Sequence, residues 1–192
     1  MSSADALSLS KNGHVLLRGE KIIVREKLVA DALDDYTWSK DPELSRYDAV
    51  SPVTCSFAEF LLHYVREMTY PIPSQRRFAI DTQDGRHIGN CMYYDIDRRR
   101  RQAQLGILIG DRAYWKQGYG TDSVVTFLRH VFTTTNLDRV YLRTLDWNLP
   151  AQRCFERCGF VPYDRVCHSE NTFILMETRR SSFLEAYPQP DG

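Results

Sequence analysis

Residues 105–122, L-G-I-L-I-G-D-R-A-Y-W-K-Q-G-Y-G-T-D, join a run typical of a β-strand to the start of an amphipathic helix pattern. Two glycines flank Tyr119 at that start, so the backbone is free to turn tightly and to point several N–H groups the same way. A helix N-terminus carries unpaired N–H donors and a partial positive charge that attract phosphate. Arg112 and Lys116, just upstream, add positive charge. The stretch therefore predicts a site for a phosphorylated cofactor.

Two common nucleotide-binding motifs do not fit this loop. A Rossmann fingerprint needs a third glycine early in a βαβ unit, whereas Ser123 occupies that position and the loop lies past the middle of the chain. The G-K-[ST] ending of a P-loop is absent. Taken alone, a G-x-G at a helix start is also compatible with a plain N-terminal turn that binds nothing.

Hydrophobic periodicity predicts the elements on either side of this stretch. The predicted strands are residues 14–17, 21–24, 78–81, 88–96, 103–109, 139–145, 161–166 and 172–178. Helices are predicted at 28–40, after an N-cap at Ser56, at 118–134 and at 148–158. A short antiparallel meander thus precedes strand–helix–strand–helix–strand. This order predicts an α/β (α+β) fold with one mixed, mostly antiparallel sheet and helices on both faces.

The length of 192 residues suits one well-buried domain. We expect this domain to span residues 14–180, between a flexible polar segment at 1–13 and a tail at 181–192 that ends in Y-P-Q-P-D-G. No internal repeat or linker interrupts it.

Composition excludes some partners. Twenty-five basic residues balance twenty-five acidic ones, so net charge gives no argument for nucleic acid. The four consecutive arginines at 98–101 are typical of a solvated hairpin tip. No apolar stretch approaches the roughly 18 residues of a membrane span, and the first residues lack the apolar core of a signal peptide. A cytoplasmic protein without a membrane partner is expected.

The five cysteines do not suggest a disulfide framework or a zinc site, because their number is odd and no CxxC spacing occurs. Cys154 and Cys158 lie four residues apart on a predicted helix and share one face. We interpret them as small core hydrophobic residues. No metal is expected.

Two further segments accompany the glycine loop in a fixed order. Residues 38–47 are W-S-K-D-P-E-L-S-R-Y, and residues 148–160 are N-L-P-A-Q-R-C-F-E-R-C-G-F. Together with residues 105–122, they resemble the GNAT superfamily of acyl-CoA-dependent N-acetyltransferases. The similarity is greatest to the branch that includes ribosomal-protein N-terminal and polyamine acetyltransferases, and it covers about residues 22–178.

The resemblance implies a site for acetyl-CoA between two splayed central strands. The backbone before the loop would pair with the pantetheine amides, and an N–H near Leu108 or Ile109 would serve as oxyanion donor. Main-chain N–H groups of the loop would hold the diphosphate. Asn148, also a plausible helix N-cap, would contact pantetheine. The cofactor-binding residues implied in this way are Leu108, Ile109, Gly110, Lys116, Gln117, Gly118, Tyr119, Gly120, Thr121 and Asn148.

The expected reaction is direct attack of an amine on the thioester, and two positions depart from the family pattern. Phe155 stands where many members have a tyrosine that protonates the departing thiolate. The effect is expected to be modest, because a thiol with a pKa of about 8.5 is a tolerable leaving group. Water or Tyr163 would supply the proton. Trp115 replaces an Arg or Gln common in the family, a change that keeps the backbone donors.

Gln104 is the second departure, since close relatives often have a glutamate there and glutamine cannot accept a proton. About a tenth of an α-amino group is neutral at pH 7, against less than about 0.1% of a lysine, so the change favours weakly basic amines. The remaining candidate bases are Asp146, Asp95, His168 and Glu170, for each of which a surface role is also open. Asp146 is preferred because it follows a strand that lines the cleft.

The leading hypothesis is an acetyl-CoA-dependent N-acetyltransferase that acts on a primary amine, either a protein N-terminus or a small molecule. Phe155 and Gln104 also suit an acyl-CoA-binding domain of this fold without catalysis, and a plain scaffold domain is the third alternative. We expect the acceptor pocket to be built from the first two helices, residues 47–55 and the terminal hairpin. A homodimer is one of the possible states.

Overall fold

The structure, a computed structural model, describes residues 14–188. The predicted flexible segment at 1–13 lies outside the described residues. The strands are β1 (Val15–Arg18), β2 (Ile22–Glu26), β3 (Arg76–Thr82), β4 (His87–Asp97), β5 (Gln102–Ile109), β6 (Arg139–Leu145), β7 (Val161–His168) and β8 (Asn171–Arg179). The α-helices are α1 (Ala32–Lys40), α2 (Pro42–Tyr47), α3 (Phe57–Thr69), α4 (Tyr119–Thr134), α5 (Leu149–Arg157) and α6 (Arg180–Ala186).

One sheet holds the eight described strands in the order β1-β2-β3-β4-β5-β6-β8-β7. Neighbouring strands are antiparallel except β5 and β6, which are parallel because α4 connects them. The four arginines at 98–101 form the turn between β4 and β5, as predicted. The sequence prediction of one mixed, mostly antiparallel sheet is confirmed.

Helices cover both faces of the sheet, also as predicted. Side chains alternate between the faces of a strand, so Asn90 and Tyr93 on β4 point in opposite directions. Asn90 donates a hydrogen bond to Asp35 on α1 (2.6 Å), whereas the Tyr93 ring lies 5.9 Å from that of Phe127 on α4. The fully buried face of α4 includes Phe127 and Leu128. Burying each such side chain contributes about 1.5–3 kcal/mol.

The short helix α2 was not predicted, although the Asp-Pro step that ends α1 also begins it. Asp41 caps α2, because its Oδ1 accepts the N–H groups of Glu43 (2.9 Å) and Leu44 (3.1 Å). Pro42 fills the first helical position, where a missing N–H costs nothing. This helix brings Tyr47 and Asp48 to the cleft described below.

The predicted tail at 181–192 was wrong for its first part, because Arg180–Ala186 forms α6. Phe183 is 1% exposed and its ring lies 5.5 Å from that of Phe132. Arg180 donates to the carbonyls of Leu137 (2.9 Å) and Thr135 (2.6 Å). Residues 180–188 therefore pack on the domain, and residues 189–192 lie outside the described part.

A buried ionic cluster joins α1 to the adjacent strands. Arg25 on β2 contacts Asp31 (2.7 Å) and Asp81 (2.6 Å), while Lys27 contacts Asp35 (2.7 Å). His87 lies between Asp81 and Asp35, at 3.3 and 3.4 Å. The cluster positions α1, and through it α2, against the sheet.

Candidate active site

The site begins where β5 and β6 separate. The two strands pair at only three positions, Gln102 with Arg139, Ala103 with Val140 and Gln104 with Tyr141. Both continue beyond this point, β5 to Ile109 and β6 to Leu145, without pairing to each other. The predicted divergence of the central strands is thus present and starts directly after Gln104.

A cleft of about 1440 Å³ opens between the separated strands. It runs from the α2–sheet junction, past the free edge of β5, to the first turn of α4 and the side of α5. Small-molecule sites commonly measure roughly 300–1,000 Å³, so this space is large enough for an extended cofactor together with a second substrate.

The free edge of β5 presents alternate peptide groups to the cleft. The N–H of Gly110 donates to the Ile88 carbonyl on β4 (2.9 Å), so Gly110 and, by alternation, Leu108 face β4. Ile107 and Ile109 then face the cleft. Leu108, Ile109 and Gly110 were predicted to pair with the cofactor through their backbone groups, but the N–H of Gly110 is taken by β4. By alternation, the backbone groups of Ile107 and not those of Leu108 face the cleft.

Two tryptophans, Trp115 and Trp38, hold the end of this strand in place. The indole N–H of Trp115 donates to the Ile109 carbonyl (2.7 Å), which leaves the Ile109 N–H for a ligand. Gly110 makes room for Trp38, because a Cβ at position 110 would lie 2.1 Å from the Trp38 ring. Gly110 is therefore required by packing, not by direct cofactor contact.

The loop before α4 has the form of an anion-binding cradle. Lys116 and Gly118 have positive φ angles (59° and 88°), whereas Gln117 between them does not. Alternation of this kind makes successive N–H groups converge. Within residues 14–188, no acceptor takes the backbone N–H groups of residues 116–121. These N–H groups thus have no partner in the described part of the chain, and diphosphate binding by them stays a prediction.

Basic side chains surround the cradle without being neutralised by its one acidic residue. Asp122, in the first turn of α4, accepts the N–H groups of Glu20 (3.1 Å), Lys21 (2.7 Å) and Ile22 (3.1 Å). Its charge is therefore directed to the β1–β2 turn. Lys21 and Arg129 line the cleft, and the buried Nε of Arg129 has no hydrogen-bond partner among the described residues. These donors fit the phosphates of coenzyme A.

Asn148 is confirmed as the N-cap of α5, since its Oδ1 accepts the N–H of Ala151 (3.3 Å). The residue also lines the cleft. Its side-chain NH₂ donates to no residue within 14–188, so cap formation leaves this group for a ligand.

Comparison with known proteins shows which family has this sequence pattern. Residues 22–161 match the family described as Acetyltransferase (GNAT) domain.

The chain belongs to the GNAT acetyltransferase family.

Two sequence relatives are named as N-acetyltransferases. The chain is 27% identical to an uncharacterized N-acetyltransferase, p20, of Bacillus licheniformis over 132 residues, covering 68% of this chain and 72% of that one. It is 30% identical to spermidine N(1)-acetyltransferase of Vibrio cholerae over 88 residues, covering 46% and 50%. This GNAT protein is an acetyl-CoA-dependent N-acyltransferase.

Solved structures share the fold. Spermidine N-acetyltransferase from Vibrio cholerae, in complex with CoA and spermine, superimposes with a TM-score of 0.76 at 21% identity, covering 85% of this chain and 98% of that chain. The aminoglycoside acetyltransferase AAC(6')-Ib with coenzyme A gives 0.73 at 17% identity, covering 88% and 99%.

The thiolate of CoA has no predicted side-chain proton donor in the cleft of this GNAT domain. Phe155 lines the cleft as an apolar ring, 9% exposed, packed edge-on against Phe160 at 5.8 Å. Tyr163 lies on β7 under the guanidinium of Arg139 (5.0 Å), away from the cleft. Tyr163 would donate only if it faced the cleft, and this condition is not met; water as the proton source stays a prediction.

Gln104 and the four candidate bases lie in different places relative to the cleft. Gln104 is 9% exposed at the fork of the two strands, opposite Tyr94 of β4, and its side chain is not among those that line the cleft. Asp146 is paired with Arg165 of the terminal hairpin (2.7 Å) and does not line the cleft. The preference for Asp146 as base was wrong, because its side chain is directed to that hairpin. Asp95, His168 and Glu170 do not line the cleft either.

Sequence reasoning missed three residues at this end of the cleft, Asp48, Tyr94 and Arg143. Asp48 is an exposed residue, but the surrounding protein desolvates its carboxyl and raises its pKa, against the nearby charge of Arg143, which lowers it. Burial also raises the pKa of Tyr94. Asp48 falls within residues 47–55, the segment predicted for the acceptor pocket, but nothing in its local sequence distinguished it.

Cys154 also differs from its prediction as a core residue. Cys158 is fully buried as expected, but Cys154 is partly exposed and lines the cleft. Its Sγ lies 3.4 Å from the hydroxyl of Thr121 at the cradle. A hydrogen bond from Cys158 lowers the pKa of Cys154 below its ordinary value.

No group of three potential metal ligands occurs among residues 14–188, and no helix there is long and apolar enough to cross a membrane.

Proposed function

We propose that this GNAT enzyme, which passes acetyl groups from acetyl-CoA to amines, does so by direct attack of a primary amine on the thioester. The observation that carries the proposal is the pairing of β5 with β6, which stops at Gln104 and leaves the edge of Ile107 and Ile109 open beside the α4 cradle. An acyl-enzyme route is less well supported, because the one thiol that lines the cleft, Cys154, lies beside the phosphate cradle.

In the proposed mechanism, the protein contributes position and electrostatics. Backbone N–H groups of residues 116–121 hold the diphosphate, and the edge of β5 aligns the pantetheine arm. One N–H of this edge, that of Ile107 or Ile109, stabilises the oxygen of the tetrahedral intermediate, a contribution worth about 3–4 kcal/mol in other acyl transfers. Acetyl-CoA supplies an activated acyl group whose thiol leaves without assistance from Phe155.

The acceptor must lose a proton before it attacks, and the fork of the strands offers Gln104 instead of a carboxylate. We therefore propose weakly basic amines, which include protein N-termini and some small molecules, as the better substrates. The relatives named above act on spermidine and aminoglycosides, so small-molecule amines belong in any substrate panel. A homodimer and a cytoplasmic location remain predictions.

Release of free CoA thiol tests the function. Purified protein is incubated with acetyl-CoA and a panel of N-terminal peptides, amino acids, polyamines and aminoglycosides, and acetylated products are identified by mass spectrometry. We expect turnover with at least one primary amine. Because Phe155 and Gln104 also suit a domain that binds acyl-CoA without catalysis, micromolar acetyl-CoA affinity without turnover on the whole panel would favour that alternative.

A further inference from the structure

Asp48 and Arg143 are exposed, opposite charges that both line the cleft. Asp48 follows α2 and Arg143 projects from β6 on the other wall. The charge of Arg143 is close enough to lower the pKa of Asp48. Neither side chain forms an ion pair with a residue between 14 and 188.

Several charged groups near this end already have ion-pair partners, whereas Arg46 instead stacks on the Trp147 ring at 4.7 Å. Arg112 holds both Asp41 and Glu43, each at 2.7 Å. The carboxylate of Glu43 is the other acidic side chain on this wall of the cleft, so Asp48 alone is left for an ammonium. Beyond the cleft, Asp146 is likewise held by Arg165.

Arg143 is held in place although it has no carboxylate partner. Its guanidinium lies 5.2 Å from the centre of the Phe173 ring, a cation–π contact that fixes direction without satisfying the N–H donors. Met92 and Tyr94, which also line the cleft, form a floor over Gly106 of β5, where a Cβ would come within 3.0 Å of the Met92 methyl group. The charges of both Arg143 and Asp48 act on Tyr94. The floor is thus apolar except for the hydroxyl of Tyr94.

We propose that the acceptor is an amine that also carries a carboxylate, with its ammonium end at Asp48 and its carboxylate at Arg143. The Asp48 carboxylate takes the ammonium proton, the neutral nitrogen then attacks the thioester carbon, and CoA leaves as the thiolate. This inference rests on the proposed function. A planar guanidinium matches a carboxylate with two parallel hydrogen bonds. A polyamine would instead place a second positive charge beside Arg143, where like charges repel. The site therefore selects aminocarboxylates over polycations.

Substrates matched in length test this selection. ω-Amino acids of two to six carbons are compared with unbranched diamines of equal length, which exchange the carboxylate for a second ammonium. Thiol release from acetyl-CoA gives kcat/KM for each. At the best-fitting length we expect the amino acid to exceed the diamine by about 10- to 100-fold, the range of a charged hydrogen bond. Diamines that are faster at every length would overturn the proposal.

Variants of Arg143 and Asp48 test the contacts at the two ends of the substrate one at a time. Arg143→Gln should lower kcat/KM for the amino acid by about 10- to 100-fold and leave the diamine unchanged or faster, and Arg143→Lys should restore part of the loss. Asp48→Asn should lower both substrates together. Arg98→Gln, at the exposed hairpin tip, is the matched control and should change neither. An equal loss for both substrates in Arg143→Gln would contradict the assignment.

Binding measurements keep this inference distinct from the proposed function. Calorimetry with CoA should give the same affinity for the wild-type protein and all four variants, which shows that fold and cofactor site are intact. The ω-amino acid is then titrated into the CoA complex. If it binds and Arg143→Gln weakens it, the inference holds even when no amine turns over. Binding that is unaffected by Arg143→Gln would exclude the subsite.

Discussion

Gly118 combines two properties that the diphosphate cradle needs, a positive φ angle of 88° and the lack of a side chain. Gly118→Asp would strain the backbone and place a negative charge among N–H groups meant for phosphate. We expect acetyl-CoA affinity to fall by at least about tenfold, measured by calorimetry. Gly85→Asp is a matched control, because Gly85 has a similar φ of 85° and nothing within 4 Å of its Cβ position. An equal affinity loss in both variants would contradict a specific role for Gly118.

Gln104 marks the fork of β5 and β6, where the acceptor amine is expected. Gln104→Glu restores a proton acceptor of nearly the same shape, so activity on strongly basic amines should rise, while weakly basic amines change little. The pH–rate profiles of the two substrate classes, with exposed Gln83→Glu as control, check this. An unchanged profile for strongly basic amines would show that Gln104 lies away from the reacting nitrogen.

Cys154 reports on occupancy of the cleft. Its lowered pKa increases the thiolate fraction near neutral pH, and thiolate is the form that alkylating reagents attack. We expect iodoacetamide to modify Cys154 in the free protein and CoA to protect it, as followed by peptide mass spectrometry. Exposed Cys167 serves as the internal control, since CoA should leave its labelling unchanged. Equal labelling of Cys154 with and without CoA would contradict the cleft assignment.

At the scale of elements, the contact between α1 and the end of β5 depends on Gly110. Gly110→Ala puts a methyl group against the Trp38 ring and should cost about 1–3 kcal/mol of the free energy of unfolding, measured by urea denaturation. In combination with Trp38→Leu, the cost of the alanine should shrink, because the ring that it meets is gone. Strict additivity of the two changes would disprove this contact.

The ionic cluster that docks α1 should make stability depend on acid. Asp35 is bonded to Lys27, His87 and Asn90, which holds the pKa of its carboxyl at about 2 despite burial. Since this pKa lies below the unfolded value of about 3.9, its contribution of about 2 kcal/mol is present above pH 4 and lost as the pH falls towards 2.

Asp35→Asn tests that dependence. Urea denaturation should show the variant less stable than the wild type at pH 6, with the gap closing towards pH 2. The contribution of His87 to stability depends on pH in the opposite direction. Hydrogen bonds to Asp35 and Asp81 outweigh burial and raise its pKa, so its contribution is lost as the pH rises above its folded pKa. A gap that stays constant from pH 6 to pH 2 would contradict the assignment to Asp35.

At the scale of the whole molecule, local patterns predicted most of the fold. Strand alternation, the caps at Ser56 and Asn148, and the glycine loop are encoded over a few residues, so their positions followed from sequence. Helix α6 was missed because its stability comes from Phe183 packing on Phe132, a contact between distant residues. Its short polar sequence resembles a tail.

The site was predictable only where it is made of backbone. The cradle and the cap at Asn148 depend on local conformation. By contrast, the hydrogen bond from Trp115 to Ile109, the pairing of Asp146 with Arg165 and the approach of Asp48 to Arg143 depend on how separate elements meet. No single segment carries that information, and this explains why Asp146 was preferred as the base.

A crystal structure with bound coenzyme A would test the central claim most directly. We predict the diphosphate within hydrogen-bond distance of the N–H groups of residues 117–121 and the pantetheine arm along Ile107 and Ile109, between β5 and β6. Coenzyme bound elsewhere on the protein, with the cleft after Gln104 closed or empty, would contradict the account.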